Sequence, residues 1–202
     1  MPALDVKAEK KLILVKHAMP AIVPGIAPSQ WQLSEQGQQS CSQLAEKLAV
    51  WQPTRIISSM ELKAQQTAQN VATQLLLPAG TWPDLHEHVR YSALLGDVGD
   101  YTSQADFEAS VQRLFAAPEQ LVFGRETARQ AQQRFSTAIQ RLLEAYPEQT
   151  LAVVAHGTVI TLFVAQTNPV EPFAFWKALT LPSFVALSLP DRSLLGEPIL
   201  FD

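Results

Sequence analysis

A three-layer α/β/α architecture around a mostly parallel central sheet is predicted by two aliphatic runs and by the alternation of elements between them. Leu12-Ile13-Leu14-Val15 is a continuous apolar run too short for a helix, and such a run, bounded by polar residues and a proline, reads as a strand buried on both faces. Leu151-Ala152-Val153-Val154-Ala155 repeats the pattern. Each run is followed closely by a histidine, His17 and His156. Open α/β sheets bind their ligands beyond the carboxyl ends of the strands. Parallel pairing of the two runs therefore brings both imidazoles to one edge, where chemistry is expected.

The elements follow in order. After the first strand, residues 20–28 hold three prolines and a glycine, which forbid regular structure and make a loop leaving the candidate site. Ser34 is the N-cap of a helix whose small and apolar positions, Cys41, Leu44, Ala45 and Leu48, keep helical spacing up to the stop at Trp51-Gln52-Pro53. Arg55-Ile56-Ile57-Ser58-Ser59 is a short strand, and a second helix spans about 61–76 with Ala64, Thr67, Ala68, Val71 and Leu75 on its inner face. Strand, helix, strand, helix is the beginning of a layered α/β fold.

Residues 78–106 form a long excursion with weak periodicity, expected to hold short strands or turns at most and to act as a substrate lid. A short helix is expected over 107–115 and a long one over 125–146, its apolar stripe being Ala128, Ala131, Phe135, Ala138, Leu142 and Leu143. Then come the second histidine-bearing strand, a helix over 158–166, a helical turn over 173–179, a strand over 183–189 and an edge segment over 198–201. No repeat or linker interrupts the chain, so residues 1–202 are expected to form one domain.

Composition excludes several function classes. Hydrophobic residues at 47% and charged residues at 17% describe a globular interior rather than disorder. A net charge of −4 argues against a general nucleic-acid binder, so an anionic substrate needs a local cationic pocket. The single cysteine, Cys41, cannot build a disulfide framework or a cysteine-rich metal site and is read as a small packed residue. No stretch of 18 apolar residues occurs, and the charged start lacks a signal-peptide core, so no membrane partner and a cytoplasmic location are expected. Trp31, Trp51, Trp82 and Trp176 are core or contact residues, which leaves a homo-oligomer open.

Four motifs, in order, resemble the histidine phosphatase superfamily, which includes the phosphoglycerate mutase-like phosphatases. Lys16-His17-Ala18 stands where the family has Arg-His-Gly, and Leu33-Ser34-Glu35-Gln36-Gly37 matches its helix opening. Ser58-Ser59-Met60-Glu61-Leu62-Lys63-Ala64-Gln65-Gln66-Thr67-Ala68 is similar to Ser-Ser-Pro-Leu-x-Arg-Ala-x-x-Thr-Ala. Ala155-His156-Gly157-Thr158 matches the second-histidine motif, and Gly124-Arg125-Glu126-Thr127 is a weaker likeness to Gly-Glu-Ser.

The resemblance implies a phosphoglycerate mutase-like fold and hydrolysis of a small phosphomonoester through phosphohistidine on His17, with no cofactor and no metal. Neutral imidazole is a competent nucleophile near pH 7 when one ring nitrogen is kept as a donor. His156 is then its partner on the transferred oxygens, and Glu87, inside Leu85-His86-Glu87-His88-Val89-Arg90, is the general acid for the leaving group. Lys16 and Lys63 are implied to bind phosphate. They stand where the family carries arginine, so charge survives while the planar fork that grips two oxygens does not. Ser59 and Thr158 are either donors to phosphate oxygens or caps. His86 and His88 raise a metal only weakly, since no second cluster at ligand spacing accompanies them. Arg90 and Arg125 are extra cations for the distal part of a substrate or plain surface residues.

Two other readings belong to the same residues. One is a catalytically weak phosphate-recognition or regulatory protein, favoured by lysine at both arginine positions. The other is a phosphomutase, disfavoured because the chain is short. No Gly-x-Ser-x-Gly elbow, Gly-x-x-x-x-Gly-Lys-Ser/Thr loop or Gly-x-Gly-x-x-Gly fingerprint occurs.

Overall fold

The structure is a computed structural model and describes residues 10–92, 96–97 and 103–201. Its elements, in chain order, are β1 (Lys11–Lys16), α1 (Glu35–Ala49), β2 (Arg55–Ser58), α2 (Leu62–Leu75), β3 (Ala79–Thr81), β4 (Tyr91–Ser92) and β5 (Gly96–Asp97). There follow α3 (Gln104–Ala116), α4 (Ala128–Ala145), β6 (Leu151–Ala155), α5 (Gly157–Val164), α6 (Pro172–Ala178), β7 (Ser183–Ser188) and β8 (Ile199–Leu200). A 3-10 turn, Pro28–Gln30, closes the proline-rich loop.

The main sheet has the order β3-β2-β6-β1-β7-β8. β3, β2, β6 and β1 run parallel, β7 runs antiparallel to β1, and β8 pairs antiparallel with β7 at that edge. The expected mostly parallel sheet is therefore what forms. β4 and β5 make a separate two-stranded ribbon.

Because strand side chains alternate between faces, the two aliphatic runs feed two cores. Leu12 and Leu14 of β1, with Leu151 and Val153 of β6, pack on one face with Phe135 and Leu142 of α4 and Phe163 of α5. Ile13, Val15, Ala152 and Val154 face the other way, onto Leu44 and Leu48 of α1 and Ala64, Ala68 and Val71 of α2. β1 and β6 pair with Val15 opposite Val154 and Lys16 opposite Ala155. Phe135 and Phe163 are fully buried, edge to face at 5.7 Å between ring centroids. Each such ring contributes roughly 1.5–3 kcal/mol by burial.

Capping explains the starts of α1 and α4. Ser34 accepts from the Gly37 N–H, and Thr127 and Gln130 form a reciprocal capping box at the start of α4. Cys41 is a buried free thiol of α1, as its helical position implies.

Some boundaries differ from the sequence reading. Residues 79–81, placed in the excursion, form the outermost parallel strand, since Ile56 pairs with Ala79 and Ser58 with Thr81. Three residues are too few for periodicity to signal a strand, and only pairing with β2 makes one. α3 starts at Gln104 rather than at 107, because Ser103 caps it by accepting from the Asp106 N–H. The lid expected over 78–106 falls partly on residues 93–95 and 98–102, which lie outside the described residues.

Candidate active site

The site is built at the carboxyl ends of three adjacent parallel strands. β6 is central, and both neighbours are clipped to it past their last strand residues. The His17 N–H donates to the Ala155 carbonyl at 3.1 Å, and the Ser59 N–H donates to the Val154 carbonyl at 2.9 Å. His156 follows directly on β6. Its ring stands 5.2 Å from that of His17, edge to face. The convergence expected of the two imidazoles is present.

Each ring has a distinct environment. His17 Nδ1 lies 2.8 Å from the Ala18 carbonyl. A carbonyl only accepts, so Nδ1 carries the proton and Nε2 keeps the lone pair. Burial, His156 and Lys63 all lower the His17 pKa well below the ordinary histidine range, so the ring is neutral. His156 is fully buried, and burial lowers its pKa to about 4 although Glu61 opposes the shift. Its Nε2 sits 2.9 Å from Ser59 Oγ and 3.5 Å from Glu61 Oε1. His156 Nδ1 is buried without a hydrogen-bond partner among the described residues.

The chain leaves His17 under close control. The Ala18 N–H donates to Thr67 Oγ1 at 3.0 Å, and the same hydroxyl donates to the Lys63 carbonyl at 2.7 Å. Ala18, the alanine in place of glycine, is fully buried. One step on, Gly37 of α1 lies against the backbone of Met19. A Cβ at Gly37 would stand 2.1 Å from the Met19 carbonyl oxygen. That oxygen also accepts from the Ser34 N–H at 3.0 Å and its hydroxyl at 3.1 Å. The glycine of the helix opening is thus a docking point for the segment that follows the nucleophile candidate.

Both lysines reach the site region, and both are engaged. Lys16 Nζ donates to the Leu179 carbonyl at 2.7 Å. Burial lowers its pKa to about 8, against the opposing pull of Glu87. Lys63, 5% exposed, donates to the Pro28 carbonyl at 2.7 Å and forms a short ion pair with Glu61 Oε2. The turn after the proline-rich loop is therefore tied to the site through Lys63.

Glu87 lies beside this group with its side chain only 11% exposed. Its Oε2 accepts from the Thr158 N–H at 3.2 Å and stands 3.9 Å from Arg90, while Oε1 accepts from the His88 N–H at 2.8 Å. Burial alone would push this carboxyl up, but Arg90, His156 and the two N–H donors hold it below its ordinary range. Arg90 also covers the Phe107 ring at 5.0 Å. Thr158 serves through its backbone, and the N-terminus of α5 gives that N–H a favourable field for an anion.

The remaining candidates separate. His88 Nε2 bonds the Glu126 carbonyl at 2.7 Å, and its ring packs on Phe123 at 4.9 Å, so it is a packing residue. Arg125 is exposed. Among the described residues, no group of three or more His, Cys, Asp or Glu is arranged to hold a metal ion.

Sequence reasoning missed three contributors. Arg134 of α4 donates to the carbonyls of Asp84 and His86 at 2.9 Å each and of Glu87 at 3.2 Å, and pairs with Glu126 at 2.7 Å. Glu126 also accepts from the Val89 N–H at 3.0 Å. Together they clamp the irregular segment that carries Glu87. Glu126 had a signal in the Gly-Arg-Glu-Thr likeness, whereas Arg134 looked like one more polar position of an amphipathic helix. Glu61 was the third. It is 8% exposed, stands where the matching element has leucine, and pairs with both Lys63 and His156. The cationic pocket expected from the sequence is therefore balanced by two carboxylates, because burial of lysines selects nearby counter-charges.

Residues 22–190 match the histidine phosphatase superfamily (branch 1), a span that begins just after His17. No curated protein matches the chain in sequence. Among solved structures, a mycobacterial hydrolase is similar over 96% of this chain and 92% of its own at 19% identity, with a TM-score of 0.72. A mutant phosphoserine phosphatase of Entamoeba histolytica in complex with phosphoserine is similar at 16% identity and TM-score 0.66, covering 96% of this chain and 95% of its own. Mycobacterial glucosyl-3-phosphoglycerate phosphatase with inorganic phosphate matches at 22% identity and TM-score 0.62, over 96% of both chains. At these identities the neighbours speak to the fold. The sequence match runs over most of the length and agrees with the topology, and the chain belongs to the histidine phosphatase superfamily.

Proposed function

We propose that the protein hydrolyses a small phosphomonoester through a phosphohistidine on His17, with neither metal nor organic cofactor. The observation that carries this reading is the neutral His17 ring, whose Nδ1 proton is held by the Ala18 carbonyl so that Nε2 presents its lone pair beside His156. Nε2 attacks phosphorus, the bond to the leaving oxygen breaks, and that oxygen takes a proton from Glu87. Water then attacks the phosphohistidine, returning its proton to Glu87 and releasing phosphate from neutral His17. Glu87 rests as an anion, so its proton arrives when the bound phosphate raises the carboxyl pKa or brings the proton with it as a monoanion. His156, Lys63, Lys16 and the Ser59 hydroxyl surround the equatorial oxygens, where transition-state charge collects.

The solved neighbours whose structures hold inorganic phosphate or phosphoserine support a small phosphorylated ligand. The engaged lysines favour a second reading, in which the site recognises phosphate and turns over slowly. Losing arginine forks worth about 1.5–3 kcal/mol each slows turnover roughly ten- to a hundredfold per site.

The test uses a panel of aryl and alkyl phosphates with acid-quench trapping of phosphoenzyme. Phosphate release and label on His17 are expected for the wild-type chain, and both should vanish in His17→Ala. Wild-type turnover in the alanine variant removes the nucleophile assignment. Trapped label with negligible turnover selects the recognition reading.

A further inference from the structure

Glu61 has no role in the hydrolysis described above, yet its carboxylate sits among the groups that would hold the phosphoryl oxygens. The backbone at Glu61 is extended, φ −76° and ψ 137°, immediately before α2, which turns the side chain inward. Its Oε2 pairs with the Lys63 ammonium. Its Oε1 accepts from the Glu87 N–H at 2.9 Å and lies 3.5 Å from His156 Nε2. The Glu61 N–H in turn donates to Ser59 Oγ at 3.2 Å, and that hydroxyl touches His156. One carboxylate thus takes up a buried cation and an imidazole that line the site. Burial works against its charge, but His156 and Lys63 outweigh burial and hold it far below the ordinary carboxylate range, so it stays anionic at any working pH.

We propose that Glu61 is a resident anion of the site, a carboxylate that occupies the place of a phosphoryl oxygen between Lys63 and His156, so that phosphoryl ligands bind in competition with it. This rests on the reading of the site as a phosphate site. Two physical consequences follow. A phosphate entering the site competes with Glu61 for the Lys63 ammonium and meets a second negative charge beside it, which weakens ground-state binding. The same competition helps expel inorganic phosphate after turnover, because Glu61 re-forms its pair as the product leaves. A role in which Glu61 merely orients Lys63 and His156 predicts the opposite sign, since removing the carboxylate would then loosen the phosphate.

The experiment titrates inorganic phosphate into the full chain at pH 7 by calorimetry, for wild type, Glu61→Gln and Glu61→Leu. Gln keeps the shape if Leu disturbs folding, and folding is checked by thermal denaturation. Competition predicts that phosphate binds at least ~10-fold tighter to both variants. An unchanged or weaker affinity in Glu61→Gln overturns the proposal. If the wild-type chain still releases phosphate from esters and labels His17, that outcome leaves the phosphatase reading intact. If no chain binds phosphate and none releases it from esters, the reading of the site fails and this proposal fails with it.

Discussion

His17 and His156 stand immediately beyond adjacent parallel strands, while Lys16 and Lys63 reach the same region on long side chains, and the two pairs are held in different ways. The imidazoles are placed by backbone: the ladder between β1 and β6 continues through the His17 N–H, and His156 has almost no room to move at 0% exposure. The ammonium groups are placed by partners, Leu179 for one and Pro28 and Glu61 for the other. Strand ends set an atom within a fraction of an ångström, whereas a lysine goes wherever its best acceptor lies. The imidazoles of the site are therefore specified by the fold, and its ammonium groups by local pairing that a single substitution can redirect.

Substitutions can break or sharpen this contrast. His156→Ala should lower phosphate release by roughly 10³-fold or more, because nothing else can take the place of a strand-end imidazole. Arg134→Met should come next. It frees three carbonyls and the half-buried Glu126 carboxylate, so stability should fall by about 2–4 kcal/mol, read as a lower denaturant midpoint. Activity should fall with it as Glu87 loses its fixed position. Lys16→Met should cost roughly ten- to a hundredfold in kcat/KM. A loss as large as that of His156→Ala would erase the distinction between the imidazoles placed by backbone and the ammonium groups placed by partners.

Smaller effects are expected from pH. The Lys16 pKa is lowered to about 8, so its cation is present below that value and is lost as pH rises through it. Phosphate affinity measured by titration should decline from pH 7 to 9, and Lys16→Met should flatten that decline. His156 is held neutral with a pKa of about 4, below its unfolded value. The unfolded chain therefore binds more protons below about pH 6.5, and stability falls as pH drops from there toward 4. Glu87, whose pKa is also lowered, adds to the loss only as pH falls below its ordinary value of 4.5. Thermal midpoints should drop by roughly 2–4 °C for each ~1 kcal/mol lost.

Much of this architecture was legible because it is periodic. Leu12–Val15 and Leu151–Ala155 have no polar side, which only a doubly covered strand tolerates, and α4 shows its apolar stripe at every turn. The caps at Ser34 and Thr127 were equally local signals. β3 was not legible, since three exposed or half-buried residues become a strand only by pairing with Ile56–Ser58. The Arg134–Glu126 clamp was hidden for a similar reason: its partners lie 37 to 50 residues away in sequence, in the irregular segment at 84–89.

By itself the sequence determined two short aliphatic runs, each ending close to a histidine, which read as strands buried on both faces and which parallel pairing brings to one edge. Only the tertiary structure decided how charge is distributed there. Glu61 and Lys63 come from the start of α2, Glu87 and Arg90 from the segment before β4, and His156 from the end of β6, and these three groups meet only once the elements pack. Spacing encodes position along an element. Coulomb pairing in a dry interior depends on distances that exist only after folding.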